Sequence, residues 1–129
     1  MTKEWTAGRL RTFIVSALRG AFRKYPPKYE VLEEAFVGKK LNVKTNRMSK
    51  HYVCNSCNNH FPTSEVNVDH IIPVVNPETG FESFDRFISG LFCGKDNLQV
   101  LCSECHDKKT KEENQVRRSN EAKKKSNQE

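Results

Sequence analysis

Two cysteine pairs, Cys54-x-x-Cys57 and Cys102-x-x-Cys105, are interleaved with a second set of reactive residues: Asp69-His70, Asn97 and His106. The two sets suit different metals. Thiolates at i and i+3 on a tight turn grip one metal from one side. A second such turn closes a tetrahedron with Zn–S bonds of about 2.3 Å. Sulfur then fills all four places, so that metal is structural. Carboxylate, imidazole and amide groups instead make a harder, open site of the kind that hydrolyses phosphodiesters. His106 directly follows Cys105, so closing the thiolate clamp also fixes His106 and draws it toward the segment carrying His70.

Each residue also has a plain structural reading. An iron centre or a redox dithiol would use the same cysteines, although neither CxxC opens a helix in a βαβ setting, which disfavours redox chemistry. Asp69 and His70, as strand neighbours, point to opposite faces. Only a bend there lets Asp69 reach a cation while His70 faces the cleft. Imidazole changes charge near neutral pH and can take a proton from water, whereas a lone strand-end histidine is more often a core residue bonded to backbone. His106, on the first turn of a helix, is either a neutral metal ligand or an unused neighbour of the zinc. Asn97 can accept and donate at once, which suits pinning a loop and orienting an imidazole. Alone, Asp96-Asn97 is an ordinary turn pair. Cys93 reads as a small, half-buried hydrophobe. His51 and His60 read as exposed or locally bonded, and Arg86 as a solvated charge or phosphate contact.

The apolar pattern predicts the elements that carry these groups. Leu10, Ile14, Ala17, Leu18, Ala21 and Phe22 share one face of a helix over residues 6–25, ended by Pro26-Pro27. Tyr29 to Phe36 is a shorter helix punctuated by Gly38. The basic stretch Lys39–Lys50 reads as a loop or edge strand able to rest on a phosphate backbone, or as a solvated connector. A short strand, His51–Val53, enters the first cysteine knuckle, and residues 65–72 form a strand stopped by Pro73. Phe84, Phe87, Ile88 and Leu91 mark a helix, Leu98–Leu101 a strand delivering Cys102, and a last helix starts near Cys105. Beyond it the chain is almost wholly charged or amide-bearing, and is expected to fray into a basic tail.

The whole chain has 129 residues, 36% hydrophobic, with a formal charge of +6 and a pI near 9.1. One small domain with a modest core is expected, for which a structural metal is a common remedy. The basic balance favours polyanions such as nucleic acid, or an anionic membrane surface. No signal-peptide pattern opens the sequence, and no apolar run approaches the ~20 residues of a membrane span. Paired CxxC motifs then point to a reducing cytoplasm.

The strings Val68-Asp69-His70-Ile71-Ile72-Pro73 and Asn97-Leu98-Gln99-Val100-Leu101-Cys102-x-x-Cys105-His106-x-x-Lys109-Thr110 resemble an HNH endonuclease of the ββα-metal class. More narrowly, the chain resembles the small free-standing type common in bacteriophages, and more loosely its Trp/Arg-rich first helix and Pro26-Pro27-Lys28-Tyr29-Glu30. The resemblance implies an α+β fold with a zinc-stapled ββα-metal core at 51–112, an N-terminal helical and basic extension at 1–50, and a charged, partly disordered tail at 113–129. It implies a DNA endonuclease in which His70 is the general base and Asn97 holds its loop and orients it. Asp69 and His106 would bind one Mg²⁺ or Mn²⁺ ion, and Cys54, Cys57, Cys102 and Cys105 the structural zinc. Some relatives carry another histidine four residues after His106, where this chain has Thr110. Implied partners are DNA, held by Arg9, Arg11, Lys39, Lys40, Lys44, Arg47 and Lys109, and phage packaging-motor (terminase) subunits. A role as a homing element is equally implied, and the compartment would be the bacterial cytoplasm. The competing class is a non-catalytic zinc ribbon that binds nucleic acid or protein. It accounts for the cysteines and the charge but not for Asp69, His70, Asn97 and His106 together.

Overall fold

The structure, a computed structural model, describes residues 4–127, with side chains as far as residue 122. Among the described residues it is α+β, with four helices and two small antiparallel sheets. Helix α1 spans Ala7–Phe22, and the Thr6 hydroxyl caps it by accepting from the Arg9 N–H at 3.1 Å. Its apolar stripe is narrower than the periodicity predicts. Ile14, Leu18 and Phe22 are half-buried, whereas Leu10, Ala17 and Ala21 stay exposed. Pro26-Pro27 does end α1, and it also opens α2 (Pro26–Ala35), earlier than expected, because proline has no N–H to leave unbonded in a first turn.

The stretch predicted as a loop or edge strand is a complete β-hairpin. Strand β1 (Phe36–Asn42) pairs with β2 (Arg47–Val53), and β2 pairs in turn with the short β3 (His60–Pro62). In the turn, Asn42 accepts from the Lys44 N–H through its side chain at 3.0 Å, and Asn46 sits at φ +57°. Both are roles for which asparagine is suited.

The second sheet pairs β4 (Val66–His70) with β5 (Leu98–Cys102), and α4 (Ser103–Asn127) packs across it. Between β4 and β5 the chain detours through α3 (Phe84–Leu91), anchored by the buried Phe87 and Leu91. Helix α4 does not fray where composition suggests. Asn120 donates to the Glu78 carbonyl at 3.0 Å, tying the distal half to the loop before α3. The basic-tail expectation therefore meets a continuous helix to Asn127, and residues 128 and 129 lie outside the described region.

The core is small and split. Val31, Tyr52, Leu98 and Val100 form one cluster, roofed by Phe22 and Leu32. Cys54, Leu101 and Cys102 form the other. Thus the second core is largely the cysteine site itself. Among the described residues no helix is long and apolar enough to cross a membrane.

Candidate functional site

The first cysteine turn is shaped by backbone bonds: the Cys54 N–H donates to the Asn59 carbonyl and the Asn58 N–H to the Cys54 carbonyl, both at 2.9 Å, with Asn58 at φ +62°. The second forms where β5 runs into α4, whose first turn carries Cys105 and His106. The Asn55 N–H joins the two turns by donating to the Val100 carbonyl at 2.8 Å. The four sulfurs then lie within 4.8 Å of one another, and Cys57 Sγ is 4.0 Å from Cys102 Sγ. A tetrahedron with bonds of about 2.3 Å has edges of about 3.8 Å. The cluster is therefore able to hold a structural metal such as zinc.

Electrostatics points the same way. Burial pushes the Cys102 thiol well up, and the neighbouring Cys105 and Cys54 sulfurs add to that rise. Burial also opposes ionisation of Cys54, but the backbone N–H groups of Cys57, Cys102 and Ser56 outweigh it and bring that thiol down. One thiolate is thus favoured at the expense of the others. A divalent cation removes that conflict. Cys93 stays outside the cluster; it packs against the first core, and its carbonyl accepts from the Tyr25 hydroxyl at 2.8 Å.

Asp69 and His70 occupy the last two positions of β4, opposite Gln99 and Leu98. The strand does not bend before them, so they diverge to opposite faces. On one face, Asp69 is mostly buried under α4. Its Oδ2 accepts from Gln99 Nε2 at 3.2 Å and from Lys109 Nζ at 2.9 Å, while its Oδ1 faces His106 Nε2 at 3.8 Å. Gln99 uses its other end to accept from Asn55 Nδ2 at 2.9 Å. One amide therefore ties the cysteine turn to the Asp69 carboxylate.

On the other face, the half-buried His70 ring lies 5.0 Å from the Phe22 ring centre, and its Nε2 is 2.9 Å from the Leu91 carbonyl oxygen. A carbonyl only accepts, so Nε2 carries the hydrogen and Nδ1 of the neutral ring keeps the lone pair. Asn97 does not touch this ring. Its Oδ1 accepts from the Ile72 N–H at 2.9 Å, its Nδ2 donates to the Ile72 carbonyl at 3.3 Å, and its own carbonyl accepts from the Ile71 N–H at 2.8 Å. It clamps the chain just after His70, as predicted for a loop pin. The expected ring contact is made by Leu91 and Phe22 instead. Asn97→Ala should lower stability by about 1–2 kcal/mol through two lost bonds. Urea denaturation checks this; an unchanged midpoint would mean water replaces the amide without loss.

Lys109 departs furthest from expectation. Its ammonium donates to Asp69, to Glu113 at 2.7 Å and to the His70 carbonyl at 2.8 Å, so all three hydrogens are used within the site rather than offered to a phosphate. Burial works against its charge, but the Glu113 and Asp69 carboxylates hold the ammonium above the ordinary lysine range. A raised lysine contributes stability that is complete at neutral pH and fades only in strong alkali.

Of the other predicted contacts, Arg9 stacks on Trp5 at 4.5 Å and Arg11 on Phe81 at 4.9 Å. Lys44 pairs with Glu65, and Lys40 meets His60. Lys39 and Arg47 are exposed. His51 is buried beside the Ser49 carbonyl at 3.0 Å, and Arg86 pairs with Glu82. Sequence reasoning missed Gln99, Glu113, Phe22 and the Leu91 carbonyl. Only the Lys109–Glu113 spacing on a helix gave a readable signal. Comparison with family models, with curated proteins and with solved structures finds no match to this chain.

Proposed function

We propose that the chain is a metal-dependent DNA endonuclease of HNH type, with β4, β5 and α4 as its ββα core. The observation that carries this reading is the division of labour at Asp69. Oδ2 is spent on Gln99 and Lys109, and Oδ1 faces His106 Nε2 at 3.8 Å. That gap lies within the span two bonds of about 2.1 Å can bridge. Asp69 and His106 therefore fit a hard divalent ion such as Mg²⁺ or Mn²⁺, which when bound would offset charge on the phosphate as a Lewis acid. His70 Nδ1 takes the proton of the attacking water as its oxygen bonds to phosphorus and the bond to the 3′-oxygen breaks. Leu91 holds the ring in the tautomer that task requires, and Asn97 keeps the following loop in place. Because Asp69 and His70 leave β4 on opposite faces, the scissile phosphate would lie across the strand's end.

A second reading has one specific observation in its favour. The Lys109 ammonium already balances Asp69, which a purely structural zinc module would also show. Supercoiled plasmid separates the two. On the endonuclease reading, wild type nicks with Mg²⁺ or Mn²⁺, and Asp69→Asn slows nicking at least a hundredfold while the melting curve stays cooperative. Wild type inert with Mg²⁺, Mn²⁺ and Ni²⁺ alike would leave the zinc module standing.

A further inference from the structure

The β1–β2 hairpin leaves the core as it extends. Antiparallel register places Phe36 opposite Tyr52, Lys39 opposite Lys50 and Leu41 opposite Met48, with the side chains of these pairs on one face. Tyr52 at the inner end is buried against α2. Beyond the Lys39–Lys50 pair the face is unpartnered: Leu41 is 52% exposed, Met48 63%, and Val43 in the turn 88%. Large apolar side chains gathered at such a tip are unusual in a free surface.

Charge adds a second anomaly. Lys39 and Lys50 are directly opposite each other, an arrangement that is destabilising for like charges. Among the described residues neither forms a salt bridge, while Lys40 and Lys44 are engaged with His60 and Glu65. A polyanion lying over the face relieves that repulsion.

We infer that the outer face of the β1–β2 hairpin docks on duplex DNA, with Lys39 and Lys50 on phosphates and Leu41 and Met48 wedged against an unstacked base step. A two-stranded ribbon is narrow enough for a DNA groove. Basic side chains beside an apolar wedge of Leu or Met are the chemistry by which architectural proteins unstack and kink a duplex. The inference names the partner surface of the proposed endonuclease, but its binding function stands apart from the cutting chemistry.

The test uses the 129-residue zinc-loaded chain and a duplex carrying 2-aminopurine, without added Mg²⁺ or Mn²⁺, so that cleavage is silent. Wild type should bind with a steep salt dependence and raise 2-aminopurine fluorescence. Lys39→Gln/Lys50→Gln should flatten the plot of log affinity against log salt by about two units of slope. Leu41→Ser/Met48→Ser should keep that slope, weaken binding about tenfold and lose the fluorescence rise. These are exposed positions, and a cooperative melting curve at or above the wild-type midpoint confirms folding in each variant. Failure of wild type to bind DNA, an unaltered slope in the lysine variant, or full fluorescence in the serine variant would each overturn the inference. So would a wild-type dimer in sedimentation that Leu41→Ser/Met48→Ser dissociates, since the face would then cover a second copy. Plasmid nicking scored in parallel tells failure of this surface from failure of the endonuclease reading.

Discussion

Cys54→Ser should abolish the cooperative thermal transition rather than merely lower its midpoint. Cys54 is fully buried, and with Leu101 and Cys102 it makes up one of the two cores. Structural zinc supplies an apparent ~10–16 kcal/mol to small cysteine-bound modules at neutral pH. The entire stability of a domain is about 5–15 kcal/mol. Losing the metal therefore removes as much as the whole margin. The thiol energetics sharpen the expectation: burial and neighbouring sulfurs already resist ionisation of Cys102, so a cluster without a cation is poorly satisfied even with all four thiols present. Chelator treatment of wild type should reproduce the mutant's loss of the circular-dichroism transition, and zinc should be released in a one-to-one ratio with protein. Cys93→Ser is the control, because Cys93 lies outside the cluster and should leave zinc content untouched. A cooperative melt that survives both chelation and Cys54→Ser would remove zinc from the account.

The cluster was the most legible part of the chain because CxxC spacing encodes a local turn, and a metal site needs only two such turns brought together. The period of α3 was equally plain, since Phe84, Phe87, Ile88 and Leu91 fall on one stripe and two of them are buried. Composition misled where tertiary contacts overrode it. The basic Lys39–Lys50 segment forms a hairpin because β2 feeds Tyr52 into the core and β3 closes its other edge, neither of which a local charge run reveals. The distal part of α4 is helical and is tied at Asn120 to a loop 42 residues away in sequence. At the candidate site, residue identities were readable but their partners were not. His70 is oriented by the Leu91 carbonyl, a backbone group carried by any residue, and Lys109 turns inward only because Asp69, Glu113 and the His70 carbonyl converge on it.

His70→Ala should cost about 10²–10⁴-fold in the rate of plasmid nicking, the range for removing a positioned general base. The side chain is half-buried, contributes one bond to the Leu91 carbonyl and packs on Phe22, so alanine also costs some stability. That cost must be kept apart from chemistry. His70→Gln serves here: a long amide can still donate to the Leu91 carbonyl, yet it has no basic nitrogen to receive a proton from water. If His70 acts as the base, both variants lose activity to a similar degree while only alanine lowers the melting temperature noticeably. Added imidazole should restore part of the rate to alanine, where the ring has left space, and none to glutamine. Zinc content and Mn²⁺ binding should be unchanged in both, because the ring faces away from Asp69 and His106 across β4. If glutamine retains wild-type nicking, the ring is a packing element between α1 and α3 and the base lies elsewhere. If instead Mn²⁺ binding falls with either variant, the two faces of β4 form a single site, and the proton-transfer role drawn from the Leu91 bond fails.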